Sequence, residues 1–410
     1  MSEQHDIASK PRVLLVWGYH RKGWIEPFEK LKEHIEFVYL FHLEKPANEV
    51  NLSDCKTYYW LDYKSPYQLL DAIRPQRVVF MGIDRVNSIA LNMACKHRKI
   101  KSFQLQHGLM YSFQRYVEDN NRQIATFEKN GENGNDPLSK EQKWKLMFFL
   151  LRTVRWDFPA ALPFFFKFLW NKRKYGPQFQ RFVKSLNSRF LIPYKYLVFT
   201  RSNGELFVER NGAREDDFLE IGNPFLDDFF GKKIEKAGSY YLLIDEPIAY
   251  NKEHDFDRIF TRDQVINFQK KLNDFALKKG KKLIVKLHPY SFGNDFYFQH
   301  ENIEYLEEAN IPELINGAEG VFGTSSTLLI PAVFNNRCVQ FKIWDLSDFE
   351  ADCARWGLTQ QVDFEHFSPE DICFEDIEKK EENLQKMIQK YMYRIDGKAT
   401  ERLKEALLNS

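Results

Sequence analysis

Of 410 residues only five are cysteine, and Cys55, Cys95, Cys338, Cys353 and Cys373 are spread singly with no C-x-x-C pair. That excludes a disulfide scaffold and a zinc ribbon, and it suits a reducing compartment. An excess of charge of one sign is also missing, since 59 Lys and Arg stand against 58 Asp and Glu for a formal net charge of +1. Neutralising a phosphate backbone needs clustered cations, so no nucleic-acid partner is expected and any basic surface must be local. The start, MSEQHDIASKPR, has no apolar segment of a secretory signal, and a cytoplasmic protein is expected. The chain lacks G-x-S-x-G, G-x-x-x-x-G-K-[ST] and His or Cys pairs at ligand spacing, which sets aside a serine hydrolase, P-loop chemistry and a zinc site. No repeat with a period of 20–50 residues is present. What the chain does have is length for two domains or three, and a hydrophobic content of 43% that excludes disorder. It also has an aromatic content of 16%, unevenly placed.

Short apolar β-rich runs alternate with mixed helical segments, the pattern of βαβ units around a parallel sheet. In the first hundred residues the expected strands are Arg12–Gly18, Glu36–Phe41, Thr57–Asp62, Arg77–Gly82 and Lys101–Gly108, with helices such as Glu26–His34, Pro66–Ile73 and Val86–His97 between them. Tyr196–Ser202 and Phe218–Pro224 read as late strands of the same domain. A second series follows, with strands Tyr240–Pro247, Lys281–Pro289, Gly320–Ser326 and Cys338–Ile343, and helices Thr261–Lys279, Ile311–Gly317 and one from Thr327. The division expected is an N-terminal Rossmann-like domain over 1–235, a C-terminal one over 236–375, and terminal helices over 376–410. Two such domains imply a cleft, with ligands beyond the C-terminal ends of the strands.

One stretch breaks the rhythm. Lys143–Tyr175, inside an insertion over 138–176, holds eleven of the 64 aromatics and eight Lys and Arg against the single acid Asp157. Its longest uncharged runs fall far short of the roughly 18 residues that span a bilayer. Aromatics interleaved with cations, and broken by Pro159 and Pro163, read as two short amphipathic segments lying in a membrane interface. The residues expected there are Trp144, Lys145, Arg152, Arg155, Trp156, Lys167, Trp170, Lys172 and Arg173. The competing reading is a helical hairpin packed on the core with its cations snorkelling outward.

Five strand ends carry polar residues. In KLIVKLHPYS (Lys282–Ser291) an aliphatic strand stops at Lys286, His288 and Pro289, so a cation and an imidazole stand at the sheet edge and the proline fixes their turn. In Val321–Phe341 a strand runs into Thr324, Ser325, Ser326 and Thr327 before an apolar helix, a place for anion contacts beyond what one helix cap needs. In Phe103–Ser112 the strand ends at Gln106, His107 and Gly108, where an imidazole can move a proton near neutral pH and a glycine permits close approach. Gly222-Asn223-Pro224 makes a turn in which Asn223 reads as structural or as a ligand contact. Asp245, Glu246 and Pro247 form an acidic strand exit, readable as a solvated turn or as a contact to a base or ribose.

In this order and spacing, Gln106-His107-Gly108, Gly222-Asn223-Pro224, Lys286-Leu287-His288-Pro289 and Ser325-Ser326 resemble bacterial GT-B glycosyltransferases of capsule and lipopolysaccharide assembly. The arrangement looks most like the CMP-sugar sialyl-, polysialyl- and Kdo-transferases and the related CDP-glycerol glycerophosphotransferases. The resemblance covers Lys101–Gly108 and Leu219–Phe341. It implies a nucleotide-sugar donor and a glycan or lipid-linked acceptor, and the basic aromatic segment over 143–175 adds the expectation of a cytoplasmic protein peripheral on the inner face of the plasma membrane. The resemblance makes His288 a ligand of the donor phosphate and a leaving-group stabiliser, with Ser325 and Ser326 on the phosphate or the donor sugar carboxylate. The strand-end reading adds Lys286, Pro289, Thr324, Thr327, Glu246 and Asn223 around the nucleotide and Gly18, His20, Gln106 and Gly108 on the acceptor side. The acidic base motif of the polysialyltransferase type is missing, and Asp84 or His107 stands in as the base.

The reaction this implies is direct displacement without a cofactor or metal. Asp255-Phe256-Asp257 reads as a solvated loop, not a metal site. Other readings remain open: a UDP-sugar transferase or UDP-N-acetylglucosamine 2-epimerase, a CDP-glycerol or CDP-ribitol type polyol-phosphate transferase, and a non-catalytic membrane adaptor.

Overall fold

The computed structural model describes residues 10–109, 113, 114, 116, 117, 138–176, 178–230, 238–246, 248, 260–293, 295–324, 326–343 and 347–409. Ser325 and the Asp255-Phe256-Asp257 triplet lie outside them. The chain divides into two units, Met1–Phe225 with Lys398–Ser410, and Leu226–Gly397.

In the first unit β1 (Arg12–Val16), α1 (Lys22–Glu29), β2 (Glu36–Leu40), β3 (Thr57–Tyr58), α2 (Pro66–Ile73), β4 (Arg77–Phe80), α3 (Val86–His97) and β5 (Lys101–Leu105) alternate as expected. Helices α4 (Lys140–Leu151), α5 (Ala161–Tyr175) and α6 (Phe179–Leu186) follow, then β6 (Lys195–Val198), α7 (Glu205–Asn211) and β7 (Phe218–Glu220). The strands form one parallel sheet in the order β3-β2-β1-β4-β5-β6-β7.

Because helices cover both faces, its central strands read as continuous apolar runs whose side chains still alternate between two cores. Leu14, Val78 and Phe80 point into one core, with Ile89, Ala90, Phe149 and Phe164. Val13, Leu15 and Val79 point into the other, with Phe28 and Phe37. Helix α2 starts where the sequence signals it, with the Ser65 side chain accepting from the Gln68 N–H and Pro66 in the first turn. Thr57–Asp62 is strand only at Thr57 and Tyr58, because Trp60 turns inward in a 3₁₀ turn and packs against Phe149 at 5.9 Å.

The second unit repeats the plan with β8 (Tyr240–Ile244), α8 (Arg262–Lys278), β9 (Lys282–Lys286), β10 (Ile303–Leu306), α9 (Ile311–Gly317), β11 (Gly320–Gly323), α10 (Leu329–Asn335), β12 (Cys338–Lys342), α11 (Asp348–Arg355), β13 (Thr359–Asp363) and α12 (Glu381–Met387). The parallel sheet runs β10-β9-β8-β11-β12-β13. Helix α8 opens on a reciprocal cap between Thr261 and Gln264 and buries Val265, Phe268, Leu272 and Phe275 at helical spacing. Strands β10 and β13 went unread in the sequence. Both are edge strands, and IEYL and TQQVD carry too little apolar pattern to signal a strand.

The largest difference from the sequence reading lies at the C-terminus. Residues 376–397 belong to the second unit, but the last helix, α13 (Ala399–Asn409), returns to the first. There Leu403, Ala406 and Leu407 are buried with Val13, Leu15 and Phe28. The Arg402 Nε also donates to the Ile221 carbonyl at 2.8 Å. The terminal helices are therefore not a separate tail, and the first boundary falls at 225 and not 235. Because Leu403 is fully buried, Leu403→Ala is expected to cost about 2–5 kcal/mol and to lower the melting temperature in a thermal scan.

Candidate active site

Both sheets reverse their direction of growth at the third pair formed along the chain, between β1 and β4 and between β8 and β11. Ligands in open α/β sheets bind beyond the strand ends at such a point. In the second unit three loops meet there, and two adjacent carboxylates hold them. The Asp245 N–H continues the ladder to the Lys286 carbonyl at 3.0 Å. The Asp245 carboxylate accepts the His288 N–H at 3.1 Å and a hydrogen bond from Ser291. Pro289 opens a short 3₁₀ turn in which the Ser291 N–H donates to the His288 carbonyl at 2.8 Å. Glu246 looks the other way and accepts from the Thr324 Oγ1 at 2.8 Å. The Thr324 carbonyl in turn accepts from the buried Gln340 at 2.8 Å.

Burial pushes the Asp245 carboxyl up from 3.8 to about 6, with neighbouring Glu246 pushing the same way and the hydrogen bonds from Ser291 and His288 opposing. The sequence reading singled out Glu246 and left Asp245, the group that holds the His288 turn, in the background.

Other expected donor residues are placed differently. The Lys286 ammonium donates to the carbonyls of Leu287 and Glu307, on the β10 side of its strand, and burial lowers its pKa. Ser326 and Thr327 precede a helix of seven residues, and the Ser326 Oγ accepts from the Leu328 N–H at 3.4 Å, so this hydroxyl serves its own turn. Asn223 belongs to the first unit, where its side-chain oxygen accepts the Phe225 N–H at 3.1 Å beside Gly222, whose φ of +78° requires glycine. Asn223 thus stands in the first unit, whereas the other expected donor residues stand in the second.

The first unit gathers aromatic rings at its strand ends. His107, after β5, meets the edges of Trp17 at 5.7 Å, Trp24 at 5.0 Å and Phe225 at 5.5 Å. Burial, with Arg21 adding to it, pushes this imidazole below the usual histidine range, which keeps it neutral at pH 7. Gly18 is required because an added Cβ would stand 2.6 Å from the Trp24 ring. His20 meets Trp24 edge-on and lies tilted against Phe41 and His42, and its buried Nδ1 has no hydrogen-bond partner among the described residues. Trp24, Phe225 and His42 were not legible as site residues, since a lone aromatic in a loop carries no spacing signal.

Gln106 is buried and fully engaged: its oxygen accepts the Phe199 N–H at 2.8 Å, and its amide donates to the Gly108 carbonyl and to Asn203. It locks the β5 and β6 exits together, so its place is structural. Asp84, after β4, lies 3.9 Å from the buried Arg210 guanidinium.

Of the expected interfacial residues, Trp144, Trp156 and Trp170 are exposed, as are Lys167, Lys172 and Arg173 on α5. Lys145 pairs with Glu141 at 2.8 Å. Arg152 donates to the Lys64 carbonyl, and Arg155 pairs with Asp157 and lies over the Tyr67 ring.

The chain aligns along almost its whole length with solved glycosyltransferase structures. The glycotransferase of kitacinnamycin shares 12% identity over 98% of this chain and 100% of its own, with a TM-score of 0.54. The calicheamicin glycosyltransferase CalG4 shares 15% over 98% of each chain, at 0.51. A variant of the wall teichoic acid polymerase TagF shares 13% over 97% of this chain and 88% of its own, at 0.52.

The fold is the GT-B fold.

No family model matches the chain, and no curated protein matches it. Each unit carries a candidate histidine past one of its parallel strands, His107 past β5 in the first sheet and His288 past β9 in the second.

Asp245 gives the site a pH signature. A carboxyl that titrates near 6 when folded and near 3.8 when unfolded binds more protons in the folded state between those values, so stability falls as pH rises from about 4 to 6 and is level above. The gap corresponds to at most about 3 kcal/mol, less to the extent that solvent still reaches the part-exposed residue. Asp245→Asn keeps an acceptor for the His288 N–H. Its melting temperature is expected to gain on the parent between pH 4 and 6 and to hold that gain at pH 7.5, as measured by thermal scans across pH.

Proposed function

We propose that this chain is a glycosyltransferase that moves a sugar from a nucleotide-activated donor to a glycan or glycolipid acceptor by direct displacement, without a metal. The observation that carries the reading is the cross-linked edge of the second sheet, where Asp245 and Glu246 fix the His288 and Thr324 loops on either side of the strand reversal. The shared fold with glycosyltransferases over nearly the whole chain supports it. Within that class, the Lys286–Pro289 motif and the hydroxyl run after β11 favour a CMP-linked donor of the sialic acid or Kdo type. A polyol-phosphate transfer from a CDP-linked donor is the second reading, favoured by the fold shared with the wall teichoic acid polymerase TagF.

In the proposed reaction the bond from the anomeric carbon to the donor phosphate breaks as the acceptor oxygen attacks. The His288 imidazole donates to the departing phosphate from a turn whose backbone is already fixed, so little reorganisation is needed as charge develops. Lys286, held on two carbonyls behind that turn, adds positive potential without touching the phosphate. His107 takes the acceptor hydroxyl proton, because its lowered pKa leaves it neutral and able to accept at pH 7. Asp84 is the alternative base, 3.9 Å from the Arg210 guanidinium.

A thermal-shift panel of CMP, CDP, UDP and GDP tests the donor class. CMP at about 100 times its Kd is expected to add about 2.7 kcal/mol of apparent stability, and His288→Ala to remove most of it. Tighter binding of UDP than of either cytidine nucleotide would overturn the cytidine assignment. With the donor found, His107→Gln is expected to lower kcat about 10²–10⁴-fold while leaving nucleotide binding unchanged. Because the His107 pKa is lowered, the parent's rate should hold on the acid side past the usual histidine range and fall only where this imidazole becomes protonated, and a chelator should leave the rate intact.

A further inference from the structure

The α4–α5 hairpin has two apolar faces, and only one is used by the fold. On α5 the residues Ala161, Phe164, Phe168 and Asn171 repeat every three or four positions and are buried in the first unit. The opposite ridge repeats in the same way through Leu162, Phe166, Leu169 and Trp170, and its two largest side chains are 61% and 72% exposed. On α4 Trp144 and Phe148 stand one turn apart with ring centroids 6.2 Å apart, again on the outer side. Trp156, in the connection between the helices, is 91% exposed. Seven of the fourteen exposed large apolar side chains among the described residues fall between Trp144 and Trp170, which marks a patch and not the scatter expected of any surface.

The charge around this patch is predominantly basic, with Glu141 on α4 paired to Lys145 at 2.8 Å. Lys167, Lys172, Arg173 and Lys174 are exposed on α5. The only acid between Lys143 and Tyr175, Asp157, is taken up by Arg155 at 3.2 Å and His97 at 3.4 Å. A second copy of the chain is a poor occupant, because a two-fold contact would set this basic patch against itself. A protein partner fits less well too, since lysine is depleted from the cores of such interfaces. An anionic bilayer matches both properties, taking Phe and Leu at the acyl boundary, Trp at the headgroups and Lys and Arg on the phosphates.

We propose that this outer face of α4 and α5 is a docking surface for anionic lipid, with α5 lying in the plane of the interface. No helix among the described residues is long and apolar enough to cross a membrane, so the contact is peripheral. The proposal does not rest on the transferase reading and stands or falls separately.

The test is sedimentation of the full chain with vesicles of phosphatidylcholine alone, or with about one-third phosphatidylglycerol, at low and high salt. The expected result is binding to the anionic vesicles only, weakened by salt. Lys167→Gln, Lys172→Gln and Arg173→Gln together should lower the partition about 100-fold. Phe166→Ser with Trp170→Ser should lower it on the order of 10–100-fold. All five side chains are exposed, and a thermal scan confirms that the variants fold. Quenching of the unmodified chain's tryptophan fluorescence by lipids brominated near the headgroup gives a readout that needs no variant. Failure to bind anionic vesicles, equal binding by the variants, or self-association that the aromatic pair abolishes without any lipid binding would each overturn the proposal.

Discussion

Two consecutive carboxylates at one strand end set the geometry of the second unit. Side chains of adjacent residues leaving a strand point in opposite directions, so Asp245 reaches the loop after β9 and Glu246 the loop after β11. Neither neighbour pairs with the other, since β8 lies between them. Without this double contact the loops after β9 and β11 would meet only through the strands beneath them. Holding a carboxyl there costs stability, and the raised pKa of Asp245 measures that cost. The arrangement spends folding free energy on fixing an imidazole, as sites that depend on preorganised groups do.

The first unit solves a similar problem with apolar matter. His107 is fixed by ring edges from three sides, and its turn by the amide of Gln106. Carboxylates beside it would raise its pKa and protonate it, whereas rings lower it and keep it able to accept a proton. The same residue type thus meets opposite surroundings: His288 hangs from a carboxylate-held turn, while His107 sits among hydrocarbon.

Much of this was legible in the sequence because parallel strands buried on both faces leave unbroken apolar runs that end abruptly. Lys282–Lys286 stops two residues before His288, and α2, α3 and α9 span the ranges read from the sequence. What was not legible depends on partners far apart in the chain. That Lys286 bends onto the Glu307 carbonyl, that Gln106 spans to Asn203, and that Asn223 serves its own turn are facts of tertiary contact, with no local signal. The edge strands β10 and β13 escaped for the converse reason, since one open side removes the pressure for an apolar pattern. The outer face of the hairpin was visible from composition alone, because a helix packed on one side has no need of apolar residues on the other.

The return of α13 to the first unit makes the second unit an insertion within the first. The chain crosses between the units twice, near residues 225 and 397, so neither is a bead on a single string. During synthesis the core that includes Val13 and Leu15 stays uncovered on one side until residues 403 to 407 leave the ribosome. The second unit, contiguous in sequence, can close before the first is complete. Helix α13 then supplies the side chains that complete the core of the domain begun first.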